Sequence, residues 1–167
     1  MFVRPGTTED IPAILTLIRR IVPLMQTEGN LQWDATYPNA HVFQQDLAQG
    51  YLWVAEQDGI LAGVAAITTD QTPEYASVGW DLSEPAIVVH RLAIDPEFRG
   101  QGIAIALMKH AEHIATERAI TVLRVDTNTR NQATQKLFPR LGYTLAGEIG
   151  LEFRPGLRFL CYEKRLA

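Results

Sequence analysis

A glycine-rich turn past the middle of the chain has the residue types of an anion-binding site. Its glycines let the backbone approach a ligand closely. A helix that starts beside them presents free N–H groups and the positive end of its dipole. We therefore predict that the turn holds a phosphate-bearing ligand. Its residues are Arg99, Gly100, Gln101, Gly102, Ile103, Ala104 and Ile105.

A histidine a few residues earlier can carry acid–base chemistry. His90 stands in an otherwise apolar segment, and the ~6.5 pKa of an imidazole suits it to take a proton near neutral pH. A structural histidine and a substrate contact are alternatives that the sequence leaves open. Because neighbours on a strand face opposite ways, His90 and Arg91 can both point into one cleft only if the strand is bulged.

The turn differs from the two common phosphate-binding loops. A P-loop ends in Gly-Lys-Ser/Thr, which is missing here. The dinucleotide-binding fingerprint needs three glycines soon after a first strand, whereas this turn lies past mid-chain with the spacing Arg-x-x-Gly-x-Ala. A plain nucleotide-binding module is therefore a weak interpretation.

The residues around the turn predict the strand and the helix that must position it. Ile87 to Ile94 is a short apolar run, as in a buried strand, and Asp95-Pro96 ends it because proline has no N–H for the ladder. After the turn, apolar residues recur at helical spacing and form one stripe. They are Ala104, Leu107, Met108, Ala111, Ile114 and Ala115.

The rest of the chain predicts the element order β-α-α-β-β-β-α-β-α-β-β, which is typical of an α/β sandwich with a mixed sheet. Pro23 is expected to end or kink the first helix. Asn131 is expected to cap the last one. The other predicted strands are 2–4, 51–56, 60–69, 121–127, 143–151 and 158–165, and a second helix covers about 39–49.

The turn and its flanks resemble the GNAT family of N-acetyltransferases. Arg99, Gly102 and Ala104 fill the three fixed places of that family's motif, Gln/Arg-x-x-Gly-x-Gly/Ala. The resemblance covers nearly the whole chain and is strongest from Val88 to Tyr143. It implies a largely antiparallel mixed sheet with helices on both faces. It also implies acetyl-CoA as co-substrate, with its pyrophosphate on the turn.

The resemblance assigns further cofactor contacts. In the family, the strand that holds Leu92, Ala93 and Ile94 splays from its neighbour, and its backbone binds the pantetheine arm of acetyl-CoA. Backbone donors there can also polarise the thioester oxygen. Asn131 matches a family asparagine that touches the same arm, although an ordinary helix cap explains it equally well.

The resemblance also bears on the catalytic groups. An attacking amine with a lysine-like pKa of ~10.4 is only about 0.04% free base at pH 7, so a nearby base helps. His90 matches a histidine that helps remove the amine proton in one member of the family. Phe138 departs from the family, which usually has a tyrosine there that protonates the leaving thiolate. Pro139 is expected to distort the helix at this point.

Aromatic residues in two connections are candidates for acceptor binding. The family walls its acceptor pocket with the first loop and the mid-chain connection, where aromatic rings can stack on a substrate. Packing as loop anchors is an equally good interpretation. The residues are Trp33, Tyr37, Tyr75 and Trp80.

Composition limits the classes of function. The 167-residue chain fits one domain, 1–167, and its net charge of −4 comes without a block of like charges. No nucleic-acid surface is therefore expected. The one cysteine, Cys161, cannot form an internal disulfide, which fits a cytoplasmic protein. No apolar run reaches the ~18 residues of a membrane helix, and no metal site is visible.

The sequence and the resemblance together predict an acetyl-CoA-dependent N-acetyltransferase. The acceptor is a small-molecule amine or a protein N-terminus, and assembly as a homodimer is left open. The alternative from another class is a non-catalytic acyl-CoA-binding sensor or scaffold.

Overall fold

The computed structural model describes all 167 residues and has the predicted order of helices and strands. The helices are α1 (Ile11–Thr27), α2 (Ala40–Ala48), α3 (Ile103–Glu117) and α4 (Gln132–Arg140). The strands are β1 (Phe2–Pro5), β2 (Leu52–Gln57), β3 (Ile60–Thr68), β4 (Ile87–Ile94), β5 (Val122–Asn128), β6 (Thr144–Leu151) and β7 (Arg154–Arg165). None of the helices combines the length and the apolar character needed to cross a membrane.

The seven strands form one mixed sheet in the order β1-β2-β3-β4-β5-β7-β6. Only the β4–β5 pair is parallel, and all the other neighbours are antiparallel. This confirms the predicted mixed, largely antiparallel sheet.

Helices cover both faces of the sheet, because strand side chains alternate between two hydrophobic layers. Val54 and Val64 pack with buried residues of α1 and α2, such as Ile14 and Phe43. Their strand neighbours, such as Ala55 and Ala65, enter the opposite layer with α3 and with Phe138 of α4.

Pro23 and Pro139 do not end the helices in which they lie. Of the two outcomes predicted for Pro23, an end to α1 is wrong, because the helix continues to Thr27. The lost backbone bond falls near the C-terminus, where the Thr27 hydroxyl donates to the Pro23 carbonyl at 3.0 Å. Pro139 likewise lies inside α4.

The final hairpin differs from its predicted bounds. β7 begins at Arg154 instead of 158, because Leu151 pairs directly with Arg154 across a tight turn. Sequence patterning underestimated this strand since Pro155 and Gly156 are poor strand formers.

A buried guanidinium ties the irregular connection 69–86 to the sheet. Arg124 on β5 is only 1% exposed. Its Nε donates to Glu163 at 2.9 Å, and its Nη2 donates to Glu84 at 3.1 Å. Its Nη1 donates to Gln71 and to the Asp81 carbonyl at 2.5 and 3.0 Å. The fork geometry of arginine lets one side chain hold several acceptors of the connection at once.

We predict that Arg124→Ala destabilises the fold by about 3 kcal/mol, because removing one partner of a buried ion pair leaves the other charges uncompensated. Arg165→Ala is the matched control, since Arg165 binds the same Glu84 and Glu163 but is 55% exposed. Its expected cost is much smaller, because solvent screens exposed ion pairs. Urea unfolding measures both. Equal losses for the two variants would contradict the anchoring role of Arg124.

Candidate active site

The sheet opens between β4 and β5. Backbone pairing joins only Ile87 to Leu123 and Val88 to Arg124, and the two strands part beyond Val88. Where they part, β4 carries a bulge, because His90 to Ala93 pair with the shorter span from Ala66 to Val64 on β3. Bulges bend a strand and re-aim its side chains. The predicted splay of β4 is thus present in the structure.

Arg91, the residue of the bulge with the most unusual backbone conformation, forms an ion pair. Arg91 has φ +52°, which is uncommon for a residue other than glycine. Its Nε and Nη2 donate to both carboxylate oxygens of Asp46 on α2, at 2.7 and 2.6 Å, and Asp46 is buried. Its Nη1 donates to the Tyr37 hydroxyl at 3.3 Å. With this bulge, His90 and Arg91 both face the opening, which meets the condition set by the sequence.

Two cavities meet where the strands part. The larger, about 530 Å³, runs along β4, the glycine-rich turn and the start of α4. The smaller, about 230 Å³, is lined by residues of loops and by residues of β4, β5 and β6. Five residues line both cavities and so mark their junction. They are Gln32, Trp33, His90, Arg91 and Asp126.

The glycine-rich turn has the backbone that an anion site requires. Gly100 and Gly102 have φ +76° and +82°, in the left-handed region that favours glycine. Gly102 directly precedes α3, whose first N–H groups have no intrahelical acceptor. Gln101 is the exception among the predicted residues, because it lies outside the lining of the larger cavity. Its side chain contacts Gln57 and the Glu97 carbonyl instead.

Basic side chains outnumber acidic ones around the larger cavity. Arg99, Lys136 and Arg140 line it, against Glu28 and Asp126 as acids, while a fourth basic residue of the lining, Arg91, is already paired with Asp46. Arg99 forms no salt bridge, because its sequence neighbour Glu97 pairs with Arg20 at 2.9 Å. The cavity therefore favours an anion, although the whole chain has a net charge of −4.

The far wall of the larger cavity comes from α4. Asn131 lines it and also caps the helix, since its side-chain oxygen accepts from the Thr134 N–H at 3.2 Å. Phe138 reaches the same cavity while packing between Tyr143 and Tyr162, with ring centroids 5.8 and 5.5 Å away. Pro139 has not moved the Phe138 ring off the cavity wall.

His90 lies at the junction of the two cavities, and one of its ring nitrogens already has a hydrogen-bond partner. Its Nε2 is 3.2 Å from the Asp70 carbonyl oxygen. A carbonyl can only accept, so Nε2 carries the proton of this bond and Nδ1 keeps a free lone pair. Burial lowers the pKa of His90, and the nearby Asp126 carboxylate opposes this shift. The ring is thus a neutral proton acceptor at pH 7.

Asp126 was missed by the sequence reasoning. It projects from the middle of β5, and its Oδ2 accepts from the Tyr75 hydroxyl at 2.6 Å. Burial raises the pKa of the Asp126 carboxyl, while the Tyr75 hydrogen bond and His90 oppose the rise. The available signal was a carboxylate that directly follows Val122-Leu123-Arg124-Val125, inside the predicted strand 121–127.

The four aromatic candidates separate into two pairs. Trp33 and Tyr37 line the smaller cavity. Tyr75 is fully buried and Trp80 packs edge-on against it at 4.9 Å, and neither lines either of the two cavities. Trp80 also lies under the Arg124 guanidinium at 5.0 Å. The geometry of this second pair is that of loop anchors.

Comparisons with known proteins agree with this architecture. The model of the acetyltransferase (GNAT) family matches residues 18–143. The uncharacterized N-acetyltransferase YesJ of Bacillus subtilis (strain 168) is 26% identical over 147 residues, covering 86% of this chain and 81% of that protein. N-acetyltransferase 8B of Mus musculus is 26% identical over 113 residues, covering 64% of this chain. The chain spans less than half of that relative, 46% of its length.

A solved structure gives the same result for the fold. The crystal structure of a GNAT-family acetyltransferase from Streptococcus agalactiae 2603 matches with a TM-score of 0.84 and 27% identity, over 99% of this chain and 95% of that one. The opened sheet and the glycine-rich turn are thus those of an acetyltransferase fold. The chain belongs to the acetyltransferase (GNAT) family, which confirms the resemblance found in the sequence.

We predict that the His90 ring titrates below the ~6.5 of an unperturbed histidine, because burial disfavours its charged form. In Asp126→Asn the pKa of His90 should fall further, since the carboxylate that favours the imidazolium is removed. Nuclear magnetic resonance of the ring C–H signals against pH measures both. A pKa above 6.5 in the parent protein would show that the carboxylate outweighs burial.

Proposed function

We propose that the protein transfers an acetyl group from acetyl-CoA to a primary amine. Family membership supports acetyl transfer, and one observation supports this particular chemistry. A basic cavity along a glycine-rich turn meets a smaller, aromatic-walled cavity at a neutral histidine. The first cavity suits an anionic acyl carrier, the second suits an acceptor, and the reacting atoms would meet at His90.

The turn and β4 fit the two polar parts of acetyl-CoA. Free N–H groups at the start of α3, with Arg99 beside them, suit the pyrophosphate. Leu92 to Ile94 line the cavity where β5 no longer pairs with β4, so backbone groups facing the opening are available to the pantetheine amides. Asn131 stands across the cavity from them. Gln101 contributes neither its side chain nor its N–H to this proposed site, because the N–H donates to the Phe98 carbonyl at 3.4 Å.

The residues at the junction supply the steps of the transfer. Acetyl-CoA supplies a thioester whose carbonyl carbon the amine attacks. His90 accepts the proton that the amine loses, at its free Nδ1, directly or through water. Backbone N–H groups of β4 at the opening would stabilise the negative charge that develops on the carbonyl oxygen.

Phe138 cannot protonate the departing sulfur. A thiol with a pKa of ~8.5 leaves acceptably as the thiolate, so transfer does not require an acid at this position. The same residue favours the second candidate, a non-catalytic acyl-CoA-binding sensor. Release of free thiol that depends on an added amine separates the two functions.

The acceptor is a small-molecule amine or a protein N-terminus. The smaller cavity, about 230 Å³, lies below the ~300–1,000 Å³ of sites that hold drug-sized ligands. Its size favours the small-molecule amine.

The phosphate site is tested with Gly102→Glu, which places bulk and negative charge at the start of α3. We predict that coenzyme A raises the melting temperature of the parent protein, because a ligand of the folded state stabilises it. The variant should lose this rise. Gly50→Glu is the matched control, since Gly50 has φ +74°, open space around it and no place in either cavity.

Differential scanning fluorimetry with and without coenzyme A measures the shift in each variant. The control should keep the parent's shift while sharing the backbone strain. A folded Gly102→Glu variant with the parent's full shift would remove the turn from the binding site.

The base is tested with His90→Ala. We predict that kcat/KM falls by a factor on the order of 10–1,000 near neutral pH, and that the loss shrinks at high pH, where the amine deprotonates unaided. Initial rates of thiol release across pH measure this. His113→Ala is the control, because His113 is an exposed histidine of α3. Parent-like activity of His90→Ala at pH 7 would mean that His90 is structural.

A further inference from the structure

We propose that the Asp126 carboxylate binds the ammonium form of the acceptor, and that the acceptor is a compact amine with no carboxylate beside its nitrogen. This inference rests on the proposed acetyl transfer and names the class of its acceptor. The geometry, the charges and the walls of the smaller cavity each support it.

Asp126 presents one uncommitted oxygen at the junction of the cavities. Its Oδ2 accepts from the Tyr75 hydroxyl at 2.6 Å, and its Oδ1 accepts no hydrogen bond from the protein. Tyr75 is fully buried behind it, and burial keeps the pKa of the phenol well above its ordinary value. Tyr75 therefore remains a donor that holds the carboxylate in place, while the second oxygen is available to a ligand.

The remaining charges of the smaller cavity leave a negative balance. Its ionisable lining consists of His90, Arg91, Asp126 and the Tyr37 phenol. Arg91 is matched by the bidentate pair with Asp46, and burial keeps His90 neutral. Asp126 is thus the one acidic group of the lining without a protein counter-charge.

A second carboxylate behind the wall has the same sign. Glu74 accepts from the hydroxyl of Thr72, which lines the cavity, and from the Glu152 N–H at 3.1 Å. These bonds lower the pKa of Glu74, so it stays ionised. Arg154, which lies outside the lining, has Asp34 as its ion partner at 3.6 Å and holds its guanidinium over the rings of Tyr37 and Phe153, 5.0 and 5.7 Å from their centroids.

The walls suit the body of a compact cationic amine. Trp33 contributes an aromatic face and Leu151 an aliphatic surface, and the rings of Tyr37 and Phe153, which also contact the Arg154 guanidinium, complete the wall. Aromatic faces attract an ammonium through their quadrupole. A cation bound here would also favour the ionised form of Asp126, which burial and the like charge of Glu74 disfavour.

An α-amino acid lacks a place for its carboxylate in this cavity. That group would lie next to the ammonium and hence close to Asp126, where like charges repel. Arg91 offers no free positive charge to receive it, because Asp46 already engages two of its nitrogens and Tyr37 the third. The two cavities thereby sort their ligands by charge, with the anionic carrier on one side and the cationic acceptor on the other.

The test uses pairs of amines that differ by one carboxylate: 2-phenylethylamine with L-phenylalanine, isopentylamine with L-leucine, and isobutylamine with L-valine. Each is titrated by calorimetry into the protein saturated with coenzyme A, so binding is read without turnover. Thiol release with acetyl-CoA is measured separately. We expect at least one amine to bind and to react about tenfold or more better than its amino acid.

Asp126→Asn keeps the size of the side chain and an acceptor for Tyr75. It should weaken amine binding about tenfold or more and raise KM for the amine more than it changes kcat. KM for acetyl-CoA should stay the same. Tyr75→Phe keeps the Asp126 carboxylate but removes the hydrogen bond that holds it in place. This variant should show the same pattern to a smaller degree.

Two results would overturn the inference: amino acids that bind as well as their amines, or an Asp126→Asn variant that keeps the parent's affinity and preference. Failure of every amine to bind would overturn it as well. Binding of an amine without any thiol release has a different meaning. It would support the ammonium site and remove acetyl transfer from the proposed function.

Discussion

The parting of β4 and β5 after Val88 is the constraint on which the rest of the structure depends. An open seam inside a sheet exposes backbone groups that would otherwise pair, and such groups are costly unless a ligand or water satisfies them. The bulge at Arg91 bends β4 at this point, and the Arg91–Asp46 pair ties the bulge to α2. The seam thus supplies both the place for a carrier's amides and the passage between the two cavities.

The two cavities differ in electrostatic character because of which charged side chains have ion partners, and not because of how many charged residues line each cavity. Arg91 lines both cavities, yet Asp46 matches its charge. Arg99 has no ion partner, and the neighbouring Glu97 pairs with Arg20 instead. Ion pairs outside the cavities therefore decide which charges inside them remain effective. Net charge alone, −4 for the chain, gives no indication of this division.

Local patterns predicted the fold and the glycine-rich turn beside the larger cavity, whereas the lining of the smaller cavity depends on distant contacts. The turn at Arg99–Ile105 and the strand before it are continuous in sequence, so their residue types indicated their conformation. Asp126 meets Tyr75 across 51 positions, and Arg91 meets Asp46 across 45. No periodicity encodes such pairs. For the same reason the sequence could not tell that Tyr75 packs behind the cavity wall while Tyr37 forms part of it.

In the connection 69–86, the residues that anchor it to the sheet are different from the residue that faces the smaller cavity. Its large residues, Tyr75 and Trp80, turn inward to Asp126 and Arg124. It contributes a single residue, Thr72, to the lining of the smaller cavity. A substitution at Thr72 therefore changes this wall of the smaller cavity without touching Tyr75 or Trp80. The shape of the cavity can thus vary at this position while the connection keeps its anchors.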